Sequence, residues 1–248
     1  MLLAEDLLLL VTDGASGRLS APAAQVDVVL GGANLVELAM MNKVGLSGQW
    51  DQGKLGRIIV RDQAPTGDEV LDAALGILGA HQGKKPITVV RPLSKNLRGK
   101  LYERLLLGGL VRAEQGRAFG VFRGRRWPVQ DSGHQARVRR LMARALLEQA
   151  KPEPRGAALI ALVHVLGYEQ KIADLRECGL SRQQLWERAE ELARGNWAAE
   201  PARQAIWEMI AAVATATSAA KAIGAVTSPG TGWPGRYQAG FPQGEPLP

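Results

Sequence analysis

SKNLRGKLYERLLLGGLV, residues 94–111, is the stretch on which the reading of the chain turns. Leu97, Leu101 and Leu105 recur at helical spacing, Ser94 stands where a capping residue is expected, and Gly108-Gly109 closes the pattern. A helix starting at Ser94 and buried along its leucine side is expected. Pro92 places Arg91 in the loop before it. Lys95 and Arg98 fall in the first turn, against the positive end of the helix dipole, where cations cost about 0.3–1 kcal/mol unless an anion joins them. Free backbone N–H groups after Ser94, with Lys95, Arg98 and Arg91 beside them, read as a phosphate-binding helix start. A solvated basic face is the alternative.

Downstream, residues 110–113 and 118–122 read as strands joined across Gln115-Gly116, followed by a basic turn, Arg123-Gly124-Arg125-Arg126, and then Trp127. Three arginines at a hairpin tip would each contribute about 1 kcal/mol near an anionic leaflet. Trp127 suits the headgroup region. The same layout, a basic helix and then an arginine-tipped hairpin, is that of a winged helix. In that reading Lys95, Asn96, Arg98, Lys100 and Tyr102 would face DNA bases.

Elsewhere, helical periodicity dominates. Apolar stripes run through Leu3, Leu7 and Leu10, through Val28, Val29, Leu35 and Leu38, and through Val70, Leu71, Ala74, Leu75 and Leu78. A short hairpin, residues 44–46 with 57–61, interrupts them. Residues 135–150, 155–166, 181–194 and 201–221 are expected as helices, with Ser181 capping the third. The fold class is therefore mainly α, a single helical-bundle domain with short β-hairpins over residues 1–222. Residues 223–248 are expected as a disordered tail, since ten of the last 23 are Gly or Pro and cannot support a core. Trp233, Tyr237 and Phe241 within it could form a short recognition motif.

The opening MLLAEDLLLL has Glu5 and Asp6 where a signal peptide needs cations, and reads instead as an amphipathic helix. No uninterrupted run of 18 or more apolar residues is present, and 206–223, the best candidate span, carries Glu208 and Lys221. The single Cys178 allows no internal disulfide, suits a reducing compartment such as cytoplasm, and reads as a small buried hydrophobe.

Nothing marks an enzyme. His81, His134 and His164 are far apart, and no metalloprotease, nucleophile-elbow or phosphate-loop pattern occurs. No catalytic residue, cofactor or metal ligand is expected. His164 reads as a satisfied core or cap histidine, and Asp68 with Asp72 as acids favoured by a helix start. A net charge of +7 points to an anionic partner, either nucleic acid or a membrane surface.

Five segments carry a resemblance. LLAEDLLLLVTD (2–13), LVELAMMNKVGL (35–46), DQAPTGDEVLDAAL (62–75), LRGKLYERLLLGGLV (97–111) and RGAALIALVHVLG (155–167) together resemble the Golgi phosphoprotein 3 family, with APTGD the most specific piece. The similarity spans roughly residues 1–222, and the Ala-, Arg-, Leu- and Gly-rich composition looks like a bacterial member. The resemblance implies a helical domain that binds phosphatidylinositol 4-phosphate, with the protein acting as a peripheral membrane adaptor for cytoplasmic tails of membrane proteins. It also implies that a hairpin, here about residues 118–130, serves oligomer formation or membrane contact. The family's two basic residues fall on Lys95 and Arg98. Its pocket arginine and tryptophan fall on Gly31 and Pro22, so a looser anionic-lipid or phosphate site is expected. The expectation is thus a cytoplasmic, non-enzymatic protein on the inner face of a membrane.

Overall fold

The computed structural model of the chain describes residues 1–48, 54–118, 121–147, 153–168, 179, 181–194 and 200–227. At its centre lies α2 (Ala23–Met40), against which α9 (Glu200–Thr227), α4 (Ile87–Ser94) and α7 (Pro154–Leu166) pack. The approach of α2 to α9 depends on Gly32, because a Cβ there would stand 2.3 Å from Cγ2 of Val213. With 18 residues and a mean hydropathy of 1.2, α2 is long and apolar enough to cross a membrane, but 72% of it is buried within the fold, as in a core helix.

Around this core the other elements follow the apolar periodicity. They are α1 (Leu3–Val11), α3 (Glu69–Ala80), α5 (Leu97–Leu107), α6 (Ser132–Leu147) and α8 (Arg182–Ala193). Ser181 caps α8 as expected, its hydroxyl accepting from Gln184 N–H. Two antiparallel hairpins interrupt the helices. Strand β1 (Val44–Leu46) pairs with β2 (Ile58–Val60), and β3 (Glu114–Ala118) with β4 (Val121–Arg126). The structure is mainly α, with two small hairpins among the described residues.

Four expectations are corrected. The first helix is not amphipathic, since all nine residues of α1 are buried. Its acids are held by side chains of other helices, Glu5 by an ion pair to Arg104 at 2.7 Å, and Asp6 by an ion pair to Arg155 and a hydrogen bond with His134. Ser94 is not a helix start. It is the last residue of α4, and its hydroxyl donates to the Arg91 carbonyl. Arg91 is itself helical, because α4 runs through Pro92, held by burial of Val89, Val90 and Leu93. Gly116 is not a turn. It sits at a register shift between Gln115 and Arg117, so a bulge stood behind the glycine and β3 continues past it. Arg123, Arg125 and Arg126 consequently lie along β4, not at the hairpin tip. Finally, α9 spans Glu200–Thr227, longer than the helix expected over 201–221. Cys178 and the remainder of the tail, residues 228–248, lie outside the described residues.

Candidate anion-binding corner

Between α4 and α5 the chain turns through Lys95 and Asn96. Asn96 has φ 58°, a left-handed conformation that asparagine tolerates better than most side chains. Its side chain makes no capping hydrogen bond to α5. The N–H groups of that helix's first turn therefore stand without a side-chain acceptor.

Arg98 follows in that turn. Its Nε lies 3.4 Å from Oδ1 of Asp27 on α2, and its Nη1 is buried without a hydrogen-bond partner. Burial pushes the Asp27 carboxyl above its ordinary range, and Arg98 pulls it partly back. One turn along α2 from Asp27, Gly31 abuts the same corner. A Cβ on Gly31 would meet the Val90 carbonyl oxygen at 2.8 Å and the Ser94 nitrogen at 2.9 Å, both backbone atoms. Pro22 is the N-cap of α2. Gly31 and Pro22 are thus built into helix packing and a helix start.

The four residues expected to hold a phosphate do not share one role. Arg98 faces Asp27, whereas Lys95 is exposed and lines a cleft between α3 and α5 that Arg98 does not border. Arg91 is exposed on α4, and Ser94 is engaged with it through backbone. On the hairpin, Arg125 is exposed opposite Gln115, and Arg126 is half-buried opposite Glu114. The side chain of Arg123 lies outside the described residues. Trp127 is not a membrane-facing residue. It is 9% exposed and stacks on Tyr102, with ring centroids 4.7 Å apart and planes within 5°. Tyr102 also bonds Thr12 at 2.9 Å, and burial raises its phenol pKa. The stack fixes the hairpin base to the middle of α5, one turn from Arg98.

That arrangement bears on the winged-helix reading. Of its five base readers, Tyr102 is in the core and Arg98 is turned onto Asp27.

Sequence reasoning missed the second cation system. Arg104 on α5 takes Glu5 at 2.7 Å and forks onto Asp68 at 2.7 and 3.1 Å, while Asp68 also caps α3 through Val70 and Leu71 N–H. The signal for it was Glu5 and Asp6 inside an otherwise apolar run. His164 lies 2.9 Å from Glu190 and edge-on to Trp186, which accounts for it structurally.

The fold and corner together define a class: a mainly α-helical protein with short antiparallel hairpins and an uncapped, cationic helix start. The family model described as Golgi phosphoprotein 3 (GPP34) matches residues 3–209. The chain belongs to that family. No curated protein matches it.

Proposed function

We propose that the chain is a non-enzymatic peripheral membrane protein that holds an anionic lipid phosphate at the α4–α5 corner, on the cytoplasmic face of a membrane, where it serves as an adaptor for membrane proteins. The observation carrying this reading is the buried Nη1 of Arg98 with no acceptor, beside an uncapped helix start. A phosphate oxygen supplies what both lack. Membership of the Golgi phosphoprotein 3 family supports it. Lys95, Arg91 and the exposed Arg125 add charge that favours an anionic surface. Gly31 and Pro22 supply neither the charge nor the aromatic wall of a phosphoinositide-selective pocket, so the reading is for anionic phosphate in general.

Sedimentation with vesicles tests this. Arg98→Ala is expected to weaken binding to anionic vesicles about tenfold or more, the consequence of losing a charged hydrogen bond of about 1.5–3 kcal/mol. Unchanged binding would remove the corner from the account.

Asp27 makes a second expectation of opposite sign. Its carboxylate competes with any phosphate for Arg98, so Asp27→Asn is expected to tighten anionic-vesicle binding several-fold. Because burial raises the Asp27 pKa, acidification protonates it at a higher pH than a free aspartate and frees Arg98. Wild-type binding should therefore strengthen as pH falls through that range, and Asp27→Asn should flatten this part of the profile. A variant that binds more weakly than wild type, in a titration at neutral pH, would contradict this.

A further inference from the structure

Asn34 is the feature of the core that nothing so far explains. It sits mid-way along α2, is 1% exposed, and its Oδ1 is buried without a hydrogen-bond partner. A buried carbonyl oxygen left unpaired costs roughly 1–3 kcal/mol, a penalty an apolar residue would avoid. It forms part of the lining of the cleft between α3, α4 and α5, about 340 Å³ in volume and within the range of small-molecule sites. The walls are apolar, with Val70, Ala74, Ile77 and Leu93. Charged groups also line the cleft: the exposed Lys95 and Lys100, and the exposed carboxylates of Glu69 and Glu103. Arg104, also on the lining, is committed to Glu5 and Asp68.

We infer that this cleft is a second ligand site, distinct from the α4–α5 corner, for a polyol phosphate of the glycerol phosphate type. A hydroxyl both donates and accepts, so it satisfies either end of the Asn34 carboxamide, and it enters an apolar-walled cleft without the desolvation cost of an ammonium. The second hydroxyl of a glycerol phosphate donates to the carboxylate of Glu69 or Glu103. Lys95 and Lys100 hold the phosphate. The ligand is either a lipid headgroup, such as that of phosphatidylglycerol, or a soluble polyol phosphate.

The test compares vesicles of phosphatidylglycerol with vesicles of phosphatidylmethanol, which carry the same phosphodiester charge without the hydroxyls, and titrates glycerol 3-phosphate into the full chain by calorimetry. Wild type should prefer phosphatidylglycerol about tenfold, or bind glycerol 3-phosphate if the source is soluble. Asn34→Leu, which removes the carboxamide at similar volume, should abolish that preference or that binding while melting at the wild-type temperature or above. Lys100→Ala should weaken both vesicle types alike. Equal wild-type binding to the two vesicles with no uptake of glycerol 3-phosphate would overturn the inference, whether or not Asn34→Leu folds. So would a preference that survives in a folded Asn34→Leu. The corner is judged separately: equal vesicle binding that depends on Arg98 leaves it standing and removes the cleft, and glycerol 3-phosphate binding through Asn34 without vesicle binding does the reverse.

Discussion

Arg155→Ala is expected to cost about 3–5 kcal/mol of folding free energy, read from urea unfolding at neutral pH. Arg155 reaches from the start of α7 across α1 to α2. Its Nε and Nη2 bond Oδ2 of Asp6, Nη2 also bonds the Met1 carbonyl at 2.9 Å, and Nη1 lies 3.4 Å from Glu37. The Asp6 side chain is 4% exposed and that of Glu37 13%, so removing the guanidinium leaves two carboxylates in a low-dielectric environment without the Arg155 charge. The loss is therefore that of an uncompensated buried charge, well above the 0–1 kcal/mol of a surface pair.

The pH dependence carries its own sign. Burial holds the Glu37 carboxyl above its ordinary range, while the Leu3 N–H and Arg155 lower it in part. A raised carboxyl favours the folded state most when protonated, and that contribution fades as pH rises through the folded-state value. Arg155→Ala removes two of the lowering influences and lifts Glu37 further. The deficit of the variant should accordingly be largest at neutral pH and shrink on acidification. A deficit under about 1 kcal/mol, or one independent of pH, would show that the three helices are not held through this residue.

Gly31→Arg adds a cation beside the α4–α5 corner, yet it is expected to destabilise the protein by about 3 kcal/mol or more and to leave anionic-vesicle binding no tighter. The reason is geometric. The Cβ alone would approach two backbone atoms of α4 at 2.8 and 2.9 Å, and a third, the carbonyl carbon of Leu93, at 3.2 Å. Backbone cannot rotate aside as a side chain can, so α4 must separate from α2. That contact positions the α4–α5 corner itself. A folded Gly31→Arg protein with wild-type stability and tighter binding would mean that α2 and α4 yield easily, and that the corner is an open pocket.

Most helices were legible because burial in this protein follows the period of the helix: Leu97, Leu101 and Leu105 are 5%, 0% and 1% exposed, as their spacing implied. The errors came where one residue type serves two geometries. Pro92 and Ser94 read as a boundary, but a short helix tolerated the proline and placed the serine at its end. Gly116 read as a turn and proved to be a bulge, which moved the arginines from tip to strand. Arg98 was legible as a cation in a first helical turn, whereas Lys95, read into the same turn, is the C-cap of α4 and precedes the Asn96 N-cap of α5. Their separation onto different neighbours was not legible, because Asp27 and the cleft come from elements remote in sequence. Trp127 beside three basic residues has the pattern of an interfacial anchor, and only the fold shows Tyr102 waiting beneath it. Asn34 had a signal that went unread: a polar residue within the apolar run of α2.

The sharing of Arg98 between Asp27 and a lipid phosphate is the centre of the account, and binding isotherms of three proteins on one set of anionic vesicles at physiological salt test it most directly. Wild type is expected between the other two, with Arg98→Ala about tenfold weaker and Asp27→Asn several-fold tighter, and with none of the three bound to neutral vesicles. Isotherms that coincide, or Asp27→Asn and Arg98→Ala displaced in the same direction, would contradict it.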